Sequence, residues 1–313
     1  DNWSSGFIPA PGDKVFIRDA TNDPDISTDI TLTDLTVKTN GLLDIESSGS
    51  LTLSGNFSNS GTVTLNSSSA LFSSLIVEGT STGDIDYKRY TNTVGAYEWD
   101  LIGSPVGGNN YISSFVTENS GSLATNGSSP TNYAIGYYTN SNNSWTNYNS
   151  SSVTSNSTAF EPGKGYQMAH ASGGTLTFTG TVATGSVTES VINNSASSGT
   201  RWNLVANPYP SYINANDDAD NTNNFLTVNQ TAIDDANYLF IYGWDANGSS
   251  DSYTAYGQNY QNTDTPVYIA PGQGFFIAAE SSSNADISFT PAMRTEEGTD
   301  DFISLSIMND YGN

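Results

Sequence analysis

Between residues 30 and 65 the chain alternates apolar and polar residues in short runs. Ile30-Thr-Leu32, Leu35-Thr-Val37, Leu43-Asp-Ile45, Leu51-Thr-Leu53 and Val63-Thr-Leu65 each repeat with period two, the signature of strands with one buried face. Gly41, Gly49, Gly55 and Gly61 punctuate them. Successive runs begin about 5 to 12 residues apart, too close for helical crossovers. Gly49-Ser-Leu-Thr-Leu-Ser-Gly55 and Gly61-Thr-Val-Thr-Leu-Asn-Ser67 nearly repeat each other. Stacked short strands with small polar corners predict a β-helical or solenoid-like head over residues 1–90, each coil burying the apolar row of the next. A meandering β-sandwich gives a similar pattern and is the alternative.

Beyond the head, one unit occurs twice, over residues 91–190 and 191–297. Glu98-Trp-Asp-Leu-Ile-Gly-Ser-Pro105 matches Arg201-Trp-Asn-Leu-Val-Ala-Asn-Pro208 at an offset of 103. Trp145-Thr-Asn-Tyr148 matches Tyr253-Thr-Ala-Tyr256 at 108, and Glu161-Pro-Gly-Lys-Gly-Tyr166 matches Ala270-Pro-Gly-Gln-Gly-Phe275 at 109. Leu176-Thr-Phe-Thr179 matches Ile287-Ser-Phe-Thr290 at 111. The blocks keep one order, and the insertions fall between them, where loops belong. A duplicated, β-sandwich-like domain is therefore expected.

Each block has a physical reading. In Trp-[Asp/Asn]-Leu-[Ile/Val]-x-x-Pro the residues alternate between two faces, and the Pro ends the ladder because it has no N–H to donate. Pro-Gly-x-Gly-[Tyr/Phe] supplies a turn and then enters a strand. It lacks the Lys-[Ser/Thr] pair and following helix of a phosphate-cradling loop. Residues 298–313 read as a linker and a new alternating run, Phe302-Ile-Ser-Leu-Ser-Ile-Met308, expected either to open a following domain or to complete a sheet of the second repeat.

Composition sharpens this picture. Charged residues are 13% of the chain and aromatic residues 12%, so the polar remainder is mostly Ser, Thr, Asn and Gly, which favour turns and short strands over long helices. Aromatic and β-branched residues are too abundant for a disordered chain. The formal charge of −24 repels phosphate backbones and anionic membranes, so no nucleic-acid partner is expected. There are no cysteines, which excludes thiolate metal sites, a cysteine nucleophile and disulfides. No apolar run approaches the ~20 residues that span a bilayer, and no membrane insertion is expected. Asp1 at the start, without Met or a signal peptide, reads as a processed or excised piece.

Trp202-Asn-Leu-Val-Ala-Asn-Pro-Tyr-Pro-Ser211, followed by Ala270-Pro-Gly-Gln-Gly-Phe-Phe276, resembles a module of large secreted proteins of the Bacteroidota. The head resembles the segment that precedes such modules, through Trp3, Gly6, Pro9, Gly12-Asp-Lys-Val15 and Lys88-Arg-Tyr90. Phe289-Thr-Pro-Ala-Met-Arg294 is similar to the passage from the last module into the next β-domain. The resemblance implies an extracellular or cell-surface location, export by the type IX secretion route, and further domains of a parent chain as neighbours. It says little about activity.

Candidate chemistry is sparse. His170 is the single histidine, and no nucleophile motif accompanies it, so a surface or packing role is expected. No G-x-S-x-G elbow or H-E-x-x-H motif occurs. Glu98 and Glu161 are replaced by Arg201 and Ala270 in the second copy, so no carboxylate pair recurs with the module. No catalytic residue and no enzyme activity is expected. Calcium is the ion that the acidic loops would suit: Asp245, Asn247 and Asp251 space oxygens around a Gly turn, and Asp217, Asp218 and Asp220 form a second acidic loop. Aromatic residues of the repeated blocks, Trp145 and Tyr148 in the first copy with Tyr253 and Tyr256 in the second, are either cross-strand core pairs or platforms for a glycan. The expected function is thus a non-catalytic adhesin or spacer scaffold contacting polysaccharide or other surface proteins; the alternative is a carbohydrate-binding module.

Overall fold

The computed structural model describes residues 9–95, 98–156, 158–217, 222–234, 236–244, 253–258, 266–298 and 300–301. Strands β1 (Lys14–Ile17), β2 (Asp25–Ile26) and β3 (Asp29–Leu32) make one coil, and β4 (Asp34–Val37), β5 (Leu42–Ile45) and β6 (Ser50–Leu53) the next. β7 (Phe57–Asn59), β8 (Thr62–Leu65) and β9 (Ser74–Val77) make a third, and β10 (Ser81–Thr82) and β11 (Asp84–Thr91) begin a fourth. Each strand pairs in parallel with its counterpart one coil on, giving sides β1-β4-β7-β10, β2-β5-β8-β11 and β3-β6-β9. The head is a β-solenoid and not a meandering sandwich.

The alternation predicts this because every second residue meets its equivalent across the coil spacing. Val15, Leu35 and Phe57 stack on one side, Ile26, Ile45, Leu65 and Tyr87 on the second, and Leu32, Leu53 and Val77 on the third, all buried. Each such side chain contributes about 1.5–3 kcal/mol by leaving water. The corners stack as well. Asn56 donates its N–H to Asp34 Oδ1 at 2.7 Å, and Thr80 donates its own to Asn56 Oδ1 at 3.0 Å. At another corner a Cβ on Gly61 would lie 2.2 Å from the Gly41 carbonyl oxygen, so the coil spacing there requires glycine.

The first copy continues with β12 (Asp100–Ile102), helix α1 (Ile112–Glu118), β13 (Asn132–Thr139), β14 (Ser144–Asn149), β15 (Tyr166–Met168) and β16 (Gly174–Thr181). The second holds β17 (Val187–Val191), β18 (Trp202–Ala206), β19 (Tyr212–Asn214), helix α2 (Phe225–Asn229), β20 (Phe240–Trp244) and β21 (Tyr253–Gly257). β22 (Tyr268–Ile269), β23 (Gly274–Ala278), β24 (Ala285–Phe289) and β25 (Arg294–Thr295) follow. The copies share one topology. Their four-stranded sheets run β12-β15-β13-β14 and β18-β23-β20-β21, and each packs against an antiparallel pair, β11 with β16 or β17 with β24. These pairs place β11 and β17 in the first and second copies, so each unit starts one strand before residues 91 and 191.

Among the described residues one short α-helix per copy interrupts the all-β pattern, each held by an equivalent asparagine. Asn119 donates to the Phe115 and Thr177 carbonyls, both at 2.9 Å, and accepts from the Thr177 N–H at 2.7 Å. Asn229 makes the same three bonds to Phe225 and Ser288 at 2.9, 3.0 and 2.7 Å.

The second copy also closes the solenoid. The edge of β9, which would otherwise offer unpaired backbone groups, is met by Pro210 just before β19 and by Arg294 of β25. Leu75 donates its N–H to the Pro210 carbonyl at 2.6 Å, and Arg294 Nη1 donates to the Val77 carbonyl at 2.9 Å. Arg89, on β11 and 2% exposed, reaches the other way. Its Nε donates to the Pro271 carbonyl at 2.9 Å, its Nη1 to the Tyr90 carbonyl at 2.8 Å, and its guanidinium stacks on Phe72 at 3.9 Å. Two arginines thus tie head and repeats together. The expected Phe302 strand lies outside the described residues.

Candidate functional site

The Trp-bearing strands turn their two faces to different environments. On β18, Asn203 bonds back to Ile192 while Val205 enters the second core; Trp202 and Leu204 point the other way, toward the first copy. On β12, Ile102 enters the first core and Leu101 joins Leu204 and Phe276 in a small cluster between the copies. Glycines permit this approach: a Cβ on Gly165 would meet Leu204 Cγ at 2.6 Å, and one on Gly274 the Leu101 backbone at 2.8 Å. The contact is reciprocal. Gly103 donates its N–H to the Gly272 carbonyl, and Ala206 donates to the Gly163 carbonyl, each at 2.8 Å. Gly103 is the counterpart of Ala206, and Gly163 of Gly272, so the copies are related by an approximate two-fold axis.

Above this contact the outer faces of the two sheets enclose an aromatic cleft. Tyr138 on β13 and Trp145 on β14 pair at 5.3 Å, and both meet Phe276 of β23, at 5.1 and 6.2 Å. From the second copy, Tyr253 lies 5.7 Å from Phe276 and 5.1 Å from Trp244, and Trp202 stacks edge-on to Tyr242 at 4.8 Å. The cleft has two lobes of about 400 and about 310 Å³. Trp145 and Tyr253 line both and remain 38% and 50% exposed. Trp99, Trp244, Leu101, Gln167 and Gly95 complete the smaller lobe. No described lining residue carries a charge. The polar groups are amides and phenols: Tyr138 Oη donates to Asn143 Oδ1 at 2.8 Å, and Gln167 Nε2 to Asn147 Oδ1 at 2.8 Å.

The four aromatic residues named from the sequence divide evenly. Trp145 and Tyr253 line the cleft, whereas Tyr148 packs on Tyr137 at 5.3 Å against the first core and Tyr256 packs against the second. An offset of three on a strand puts a residue on the opposite face, so no pair spaced this way could share one platform. Trp99, Trp202, Tyr242, Phe276 and Gln167 were not singled out as site residues. For Trp99, Trp202 and Phe276 the signal was present in the Trp-x-Leu block and in the two adjacent Phe after Pro-Gly-x-Gly, both of which put large side chains on both faces of a strand; Tyr242 lies in neither block.

The acidic loops stay apart from this cleft as far as they are described. Asp217 takes part through its backbone, donating to Asn214 Oδ1 at 2.9 Å and accepting from Asn224 Nδ2 at 3.0 Å. Asp218, Asp220, Asp245, Asn247 and Asp251 lie outside the described residues. Among the described residues no three acidic or histidine side chains gather as a metal cluster. His170 is buried, its N–H bonded to the Asn92 carbonyl at 2.8 Å and its Nδ1 accepting from the Ser172 N–H at 3.1 Å; burial lowers its pKa.

Two carboxyl groups near the repeat junctions titrate abnormally. Burial pushes Asp100 up to about 7, against the pull of the Asn92 N–H bonded at 2.6 Å. Burial likewise pushes Glu189 up to about 7, with Lys164 opposing. Neither lines the cleft.

No curated protein and no solved structure matches this chain. No described helix is long and apolar enough to cross a membrane. A family model covers residues 1–309, and the chain therefore belongs to the family described as a domain of unknown function, DUF8693.

Proposed function

We propose that this chain is a non-catalytic, extracellular segment of a larger surface protein, a rigid adhesive scaffold whose inter-repeat cleft holds a neutral carbohydrate. The observation that carries the reading is an open, aromatic and uncharged cleft in a chain of charge −24. Sugar rings present apolar C–H faces that stack on Trp and Tyr, and their hydroxyls suit amide and phenol partners. Anionic polysaccharides would be repelled by the overall field. The described lining has no carboxyl or imidazole group to serve as acid or base. The surface location rests on the resemblance of the repeated blocks to secreted modules.

Affinity electrophoresis in neutral and in uronic polysaccharides, alongside a glycan array, tests this. Retardation by at least one neutral polysaccharide, lost in Trp145→Ala and Tyr253→Ala, is the expected result. Absence of any neutral hit, or retardation unchanged in both variants, overturns it.

A second reading, a pure spacer, draws on the ties made by Arg89 and Arg294, which would hold head and repeats in fixed orientation. The same absence of a glycan hit favours it.

A further inference from the structure

The two lobes of the cleft are copies of each other. Matching the repeats by their strand pairing exchanges Tyr138 with Trp244 and Trp99 with Trp202, because Tyr138 faces Trp145 across β13–β14 as Trp244 faces Tyr253 across β20–β21. The same operation exchanges Trp145 with Tyr253, the two residues that line both lobes. The larger lobe therefore maps onto the smaller, with a shared partition lying near the approximate two-fold axis. The partition is open to solvent, since its two rings are 38% and 50% exposed.

The lobes differ at their floors. Phe276 in the larger lobe corresponds to Gln167 in the smaller, and Tyr242 to Gly136, as the registers Tyr242↔Phe276 and Gly136↔Gln167 show. One lobe is aromatic apart from Asn143. The other replaces two rings by an amide and a bare backbone. A perfectly symmetric cleft would accept a chain in either direction; these two exchanges remove that degeneracy.

From this we propose that the cleft is a pair of quasi-equivalent subsites spanned by one linear neutral oligosaccharide, with rings on both sides of the Trp145–Tyr253 partition. The aromatic lobe supplies most of the affinity, and the Gln167 lobe extends the ligand and sets its direction. This rests on the neutral-carbohydrate reading above. A monosaccharide pocket needs neither the second lobe nor an open partition. Two linked rings that fill both lobes forfeit translational freedom once instead of twice, so affinity should rise with chain length.

The test is titration calorimetry on the intact chain with gluco-, manno- and xylo-oligosaccharides, β-1,4-linked, from one ring to six. In the series that binds, affinity should climb about tenfold or more with length and then level off. Trp99→Ala and Trp244→Ala are two independent lesions of the smaller lobe, each checked for folding by thermal melt. Each should flatten the length dependence, weakening the longest members several-fold more than the shortest. Trp202→Ala in the larger lobe should weaken every member. Binding that does not depend on length, or equal losses at all lengths in the folded smaller-lobe variants, overturns the paired subsites and leaves the carbohydrate reading standing. Absence of binding by all three series, together with a blank array of neutral glycans, removes both.

Discussion

Replacing Arg89 by Met asks how strongly the second repeat is tied to the head. The guanidinium is 2% exposed and satisfies two carbonyls, those of Pro271 at 2.9 Å and Tyr90 at 2.8 Å, while lying over Phe72 and 3.3 Å from an Asp301 oxygen. Met keeps much of the stem's packing but donates nothing. Two carbonyls then lose charge-assisted partners, at about 1.5 kcal/mol or more each, and a desolvated cation–π contact worth about 1–2 kcal/mol is lost. The total is about 4 kcal/mol. For a chain of this length the entropy of unfolding is roughly 0.65 kcal/mol per kelvin, so the melting temperature should fall by about 6 °C. Scanning calorimetry reads more than this shift. If Arg89 couples head and repeats, the wild type melts in one transition and Arg89→Met broadens or splits it. Arg89→Lys should recover only part of the loss, because an ammonium cannot serve both carbonyls as the planar fork does. A variant that melts within about 1 °C of wild type in one sharp transition would refute the coupling.

Two further outcomes follow from the packing and the titrating groups. Asn119→Ala and Asn229→Ala each remove three hydrogen bonds, two to a strand and one to the helix's own last turn. Each should cost about 2–3 kcal/mol in urea denaturation, by similar amounts in the two copies; a cost under about 0.5 kcal/mol in either would show that the helix does not need its asparagine. Asp100 and Glu189 have folded pKa values raised by burial to about 7, so ionising them opposes folding. Their contribution is fully present below the ordinary carboxylate range and is lost as pH rises toward about 7. Thermal melts between about pH 5 and about pH 8 should therefore fall with pH, and Asp100→Asn should show a shallower fall than wild type. An equal or steeper slope in the variant would remove Asp100 as a cause.

The strands and the duplication were legible because their cause is local. Leu51-Thr-Leu53 reads as a strand from three residues, and Trp202-Asn-Leu-Val pairs with Trp99-Asp-Leu-Ile by inspection. Even the failure of Tyr148 and Tyr256 to face the cleft was available, since residues three apart on a strand point oppositely. The helices α1 and α2 were not read from the sequence. They are seven and five residues long, too short for periodicity to show, and they persist through tertiary bonds from Asn119 and Asn229.

By itself, then, the chain's alternation marked the strands of the head, and its matched blocks showed that one β-unit occurs twice. It could not say where Trp202, Leu204 and Phe276 would point, because a strand with large apolar residues on both faces has two interiors to choose between. Tertiary structure made that choice. Reciprocal contact at Gly103, Gly165, Gly272 and Gly274 lets the two sheets approach, and the second row of rings then meets its counterpart across an approximate two-fold axis. An open aromatic cleft depends on the distance and angle between two sheets, which no pattern along the chain encodes.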